Sequence, residues 1–195
     1  MDFGKLVARV SAILTTPKTE WPVIAGEPTT VADLYKNYLL IMAAIPAVFG
    51  FIRQSLIGVS IPSGGTFRLG IGAGLASMIL SYVLALAMIY VAALITNALA
   101  LTFGGQKNQI QALKAIAYAY TASFVAGIGQ VVPWLGLLIG LAGAVYSIYL
   151  LYLGLPHTMQ CPQERATGYT ATIVIIAFVL SLAVGAVIGL VISFV

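Results

Sequence analysis

His157 and Cys161 come nearest to chemistry by residue type and spacing. Four residues apart, they could share one face of a helical turn and ligate a metal. A zinc site takes three or four protein ligands, and Pro156 and Pro162 work against a regular helix there. The pair is therefore assigned to a loop, with no metal and no cofactor. The chain has no phosphate-binding loop, dinucleotide fingerprint or HExxH element. Serine catalysis inside a bilayer would need a Gly-x-Ser element with a basic partner at membrane depth, a combination the apolar stretches lack. No catalytic residues are assigned.

The polar residues that remain within apolar stretches are uncharged. They include Asn97, Gln130, Ser77, Ser81, Thr96, Ser123, Ser147 and Ser181, with Tyr118, Tyr120 and Tyr146 among the tyrosines. Proton- and ion-coupled carriers usually keep ionisable groups at the membrane midplane, and here none is expected. Asn97, Tyr118, Tyr120, Gln130 and Tyr146 form the candidate intramembrane polar cluster. They either bond helix to helix, the favoured reading, or line a polar cavity formed by spans two to four.

The elements that must position these residues follow from the charges. Of 195 residues, 61% are hydrophobic and 7% charged, against about 25% charged in soluble domains. No Asp, Glu, Lys or Arg lies between Lys36 and Arg53, Arg68 and Lys107, Lys114 and Glu164, or after Arg165. A span needs about 20 apolar residues. The gaps predict spans at about 38–57 (kinked by Pro46, with Arg53 snorkelling), 69–103, 115–132, 134–155 and 169–194, with a tight hairpin at Pro133-Trp134. The predicted fold is all-α, a polytopic transmembrane bundle of five spans with an N-terminal amphipathic helix. With the amino terminus inside, Lys5, Arg9, Lys18, Lys36, Lys107, Lys114 and Arg165 fall on one side, and Arg53 and Arg68 on the other. That bias predicts a cytoplasmic amino terminus and an outside carboxy terminus. It also accounts for the net charge of +4 without nucleic-acid binding, leaving anionic lipid headgroups as the electrostatic partner.

Residues 1–36 read as a cytoplasmic arm and linker, and 37–195 as the membrane domain. Phe3, Leu6, Val7, Val10, Ile13 and Leu14 share one helical face, with Lys5 and Arg9 on another. This predicts a helix lying on the inner membrane surface, its two cations on headgroups. A cleavable signal peptide is the alternative, but no small-residue cleavage site follows. Glu20, Trp21, Glu27, Asp33 and Tyr35 form the expected cytosolic contact surface, with Trp21 at the interface. Ser60 to Arg68, containing Pro62-Ser63-Gly64-Gly65, reads as an outer loop. Gly70-xxx-Gly74, Gly136-xxx-Gly140-xxx-Ala144 and Gly185-xxx-Gly189 put small residues on single faces, which serves packing within the bundle or a homodimer contact.

Residues 115–121 (AIAYAYT), 146–156 (YSIYLLYLGLP) and 164–170 (ERATGYT), with Trp21 before the first span, resemble the bacterial branch of the Yip1 family over almost the whole chain. Eukaryotic relatives carry Asp-Leu-x-Gly-Pro before the first span and Gly-Tyr at the third. Here Asp33-Leu34-Tyr35 is followed by Lys36-Asn37, and Ala119-Tyr120 stands at the second position. The resemblance implies a five-span protein of the bacterial inner membrane, non-enzymatic, that organises or shapes the bilayer or scaffolds partners. For a eukaryotic member it would imply a Rab-type GTPase partner. A transporter or lipid-moving protein is the alternative. Reporter fusions at Lys107 and Ser63 are expected to report opposite compartments; the same compartment for both would overturn the span assignment.

Overall fold

A computed structural model describes residues 3–60 and 65–193. Pro62, Ser63 and Gly64 of the expected outer loop lie outside the described residues. Two short helices precede five long ones: α1 (Phe3–Thr15) and α2 (Pro17–Gly26), then α3 (Val31–Ile57), α4 (Ile71–Phe103), α5 (Gln109–Val131), α6 (Leu135–Thr158) and α7 (Gln163–Ser193). The five long helices are each long and apolar enough to cross a bilayer, so the all-α, five-span bundle holds.

The bundle is organised around α5. In the most apolar stretch of α5, 72% of residues are buried, against 28% or less in the other four. Its Gly127 meets Pro46 of α3, where an added Cβ would stand 2.8 Å from the Pro46 Cβ. The α5 hydroxyl of Ser123 bonds that of Ser147 in α6 at 2.8 Å, and Tyr38 of α3 bonds Thr121 at 2.5 Å. A helix surrounded by other helices needs no lipid-facing side, which is why its sequence tolerates Gln109, Gln111 and Lys114 in its first turns.

The helix boundaries differ from those set by charge. α3 begins at Val31, so the expected division at 36/37 falls inside it; Lys36 is exposed on its surface, and a helix continues through a charged residue that can face out. Two π-helical stretches, Tyr35–Leu39 and Ile52–Ile57, flank the Pro46 segment. The hairpin between α5 and α6 lies where predicted: Trp134, with φ 71°, turns the chain and is 88% exposed. At the same end, strands β1 (Val59–Ser60) and β2 (Thr66–Phe67) pair antiparallel after α3. Gly58 precedes them at φ 92°, where a Cβ would strike Arg68 at 2.8 Å.

The small-residue faces divide. Gly74 packs on Ser55 and Phe51 of α3, whereas Gly140, Gly185 and Gly189 have nothing within 4 Å of a built Cβ. The tightest arm contact is at Gly154 of α6, whose missing side chain admits the Trp21 ring: a Cβ there would lie 2.6 Å from it. Gly154→Leu is expected to lower stability by about 1–3 kcal/mol through overpacking, read as a drop in melting temperature in detergent. Gly140→Leu should leave it unchanged, and equal melting of the two variants would refute this packing account.

Candidate functional site

The arm is not a separate surface strip. Its two helices fold on one end of the bundle, and that junction brings together Arg9, Glu20, Glu27 and Lys114. α1 turns Leu6 and Ile13 inward, both buried, while Phe3 and Val7 stay exposed. α2 starts with Pro17 in its first turn, where proline's missing N–H is harmless, and turns Trp21 and Ile24 fully inward.

Arg9 of α1 is the centre of the junction. Its guanidinium makes ion pairs with Glu20 and Glu27, and its Cζ lies 5.9 Å from the Tyr118 ring centroid, within cation–π range. Burial opposes the Arg9 charge. The hydrogen bond to Glu27 and the fields of Glu27 and Glu20 outweigh it, so the guanidinium's pKa stands above its ordinary value.

Lys114 closes the junction from the α5 side. It is 3% exposed, and its ammonium donates to the carbonyls of Ile24 (2.8 Å), Ala25 (3.4 Å) and Glu27 (2.5 Å). Gln111 Nε2 donates to Ala25 O at 2.9 Å. These are carbonyls that the end of α2 leaves without intrahelical partners, and a cation is the favourable group there. Tyr146 of α6 donates to Leu14 O at 2.7 Å. A polar cavity of about 430 Å3 opens beside the junction, lined among others by Lys5, Arg9, Asp33, Asn37 and Tyr118.

Several expected placements need correction. Trp21 is fully buried under α6 rather than anchored at an interface. Glu20 and Glu27 face Arg9, which uses its charge on them and not on lipid headgroups. Tyr35 donates to Leu86 O at 2.9 Å and is half-buried, and Asp33 accepts from Thr30 at the start of α3. The five residues therefore do not form one outward surface; Glu27 and Asp33 are the exposed members. For Arg9 the cause is that the arm carries its own counter-ions; for Trp21 it is the space left by Gly154.

The intramembrane cluster is likewise dispersed. Tyr118 borders the junction cavity, Tyr120 lies at mid-span against apolar grooves, Gln130 sits near the far end beside Pro46, and Tyr146 bonds the arm. Asn97 keeps its side-chain oxygen buried with no partner among the described residues. His157 is not in a loop: it lies exposed in the last turn of α6, which runs through Pro156, while Cys161 follows beyond the helix end and is buried, which pushes its thiol pKa up. Lys114 is the residue that sequence reasoning passed over as a flanking charge, because the charge rule began this span at 115 whereas the helix begins at Gln109.

The Yip1 domain matches residues 11–192 of this chain, taking in α2, Lys114 and the five spans. The inner membrane protein YohC of Escherichia coli strain K12 is 28% identical over 168 residues, covering 85% of this chain and 86% of that protein. YohC of Escherichia coli O6:H1 strain CFT073 matches to the same extent. No solved structure matches.

Removing either cation should loosen the arm. Arg9→Ala and Lys114→Met are each expected to remove roughly 1–3 kcal/mol, raising the tryptic cleavage rate at Lys18 about tenfold, because local opening governs access. Unchanged cleavage in both variants would mean that the arm is held by apolar packing alone.

Proposed function

The chain belongs to the Yip1 family, and we propose that it is a non-enzymatic multi-pass membrane protein that organises or shapes the bilayer through its arm. The observation that carries this reading is the clasp. Arg9, Glu20, Glu27 and Lys114 hold α1 against the bundle with Phe3 69% and Val7 49% exposed. An apolar edge held rigidly at the end of a span bundle stands at headgroup depth, where burying Phe and Val side chains in the acyl boundary contributes roughly 3 kcal/mol.

The surplus of Lys and Arg on the arm side supports a cytoplasmic amino terminus and an outside carboxy terminus. The relatives named as inner membrane proteins support the bacterial inner membrane as the location. A partner scaffolded by the arm would meet Phe3, Val7 and the exposed Glu27 and Asp33, rather than Trp21. Dispersal of Asn97, Gln130 and the tyrosines weighs against a polar carrier pathway between the second and fourth spans.

Reconstitution at rising protein density is expected to tubulate or shrink vesicles in electron micrographs. The variant carrying Phe3→Asp and Val7→Asp should leave them round while inserting normally. Wild-type protein that alters no vesicle and captures no partner when cross-linked from the arm would end this reading.

A further inference from the structure

The far end of the bundle, away from the arm, contains a recess of graded polarity built from two compartments that share Ser81. Its mouth is a chamber of about 210 Å3 between α3, α4, α5 and α7, whose polar lining is Gln54, Ser77, Ser81 and Gln130. Gly50 forms its floor, and a Cβ there would meet Gln130 Oε1 at 3.4 Å and Gln54 Nε2 at 4.0 Å, so both carboxamides converge on one spot. Among the described residues, the carboxamide of Gln130 donates over a long 3.5 Å to Pro46 O. On the chamber wall, Gly74 abuts the Ser55 hydroxyl, which is buried and has no hydrogen-bond partner among the described residues.

Ser81 also lines the second compartment, an apolar groove of about 230 Å3 between α4 and α7 that runs past Ala92 and Ala177 to Tyr120. From Gln130 to Tyr120 is ten residues of α5, or about 15 Å at 1.5 Å per residue. That is half of a hydrocarbon core about 30 Å thick, so the recess, from Gln130 in the chamber to Tyr120 in the groove, is about one leaflet deep.

Two cations lie beside the chamber's residues in the chain. Arg53 immediately precedes Gln54 and donates to Gly58 O. Arg68 donates to Ile57 O at 3.2 Å, and the next residue, Leu69, bonds Gln54 O at 3.0 Å. A guanidinium has five N–H donors, so these carbonyl bonds leave capacity for a phosphate. Cation, then uncharged donors and acceptors, then a leaflet-deep apolar groove is the order of groups along a glycerophospholipid.

We propose that this recess is a binding site for one glycerophospholipid of the leaflet opposite the arm. Its phosphate lies at Arg53 and Arg68, its ester region at Gln54 and Gln130, and one acyl chain runs along α4 and α7 to Tyr120. Bulk lipid can meet any exposed apolar helix face, but the recess differs in offering hydrogen bonds that hydrocarbon cannot use and that protein partners leave unmade.

The test uses the full chain reconstituted in vesicles of palmitoyl-oleoyl phosphatidylethanolamine and phosphatidylglycerol, extracted mildly, with retained lipid counted by native mass spectrometry. Wild type is expected to retain one lipid per chain. Gln130→Leu, which removes an ester partner, and Ala177→Trp, which fills the groove, should each lower retention about fivefold, the equivalent of about one hydrogen bond. Leu182→Trp, on the exposed side of α7, should retain lipid as wild type does. If Ala177→Trp fails to fold, Ala177→Val takes its place. No retained lipid in wild type, or equal retention in all variants, overturns the proposal. So does a lipid-free dimer that Ala177→Trp abolishes, which would seat a second copy in the groove.

Discussion

Backbone carbonyls at helix ends in a medium without water govern this structure. A helix leaves its last carbonyls unpaired, and at the edge of hydrocarbon each needs a donor. Lys114 supplies it at the end of α2, and Arg53 and Arg68 supply it where α3 ends. Three of the chain's nine Lys and Arg residues thus face backbone oxygen. Tyrosines extend the scheme between helices: Tyr35 donates to Leu86 O, Tyr82 to Leu40 O, Tyr146 to Leu14 O and Tyr169 to Thr96 O. A phenol suits this use because it buries a large ring and still presents one donor at its tip.

These bonds explain why the arm and the bundle form one unit. Arg9 alone, paired with two partly exposed glutamates, would contribute little at a wet surface. Combined with a buried ammonium on three carbonyls and an indole in the space left by Gly154, the pairs are shielded, and the arm holds a fixed orientation. Orientation is what a membrane-shaping edge requires, since a freely swinging amphipathic helix imposes no defined angle on the leaflet it enters.

Spans were legible in the sequence because hydrocarbon demands uninterrupted apolar runs, and that demand is local. The five spans and the turn at Pro133-Trp134 follow from it. Pairing is not local: Trp21 meets Gly154 and Lys114 meets Ile24, and nothing in the spacing of either residue points to its partner. Reading Arg9 as a headgroup contact and Trp21 as an interfacial anchor followed residue type; the structure instead supplied Glu20, Glu27 and a glycine gap. The dispersed fate of Asn97, Gln130, Tyr118, Tyr120 and Tyr146 has the same origin. Polarity within a span says that a partner is needed, but not which neighbouring helix provides it.

The two ends of the molecule are held by different physics. α7 is anchored through its first third, where Ala166, Tyr169, Thr170 and Ile173 are buried and Tyr169 stacks on Phe103 with ring centroids 4.8 Å apart. Beyond Ile173 its large apolar residues Ile175, Phe178, Val179 and Leu182 are exposed, and the recess lies between it and α4. There the side chains leave an apolar groove of about 230 Å3 against α4. A displacement of α7 about Tyr169 would change the width of that groove. The same displacement at the arm end would break the Tyr169 bond to Thr96 and the ring stack together.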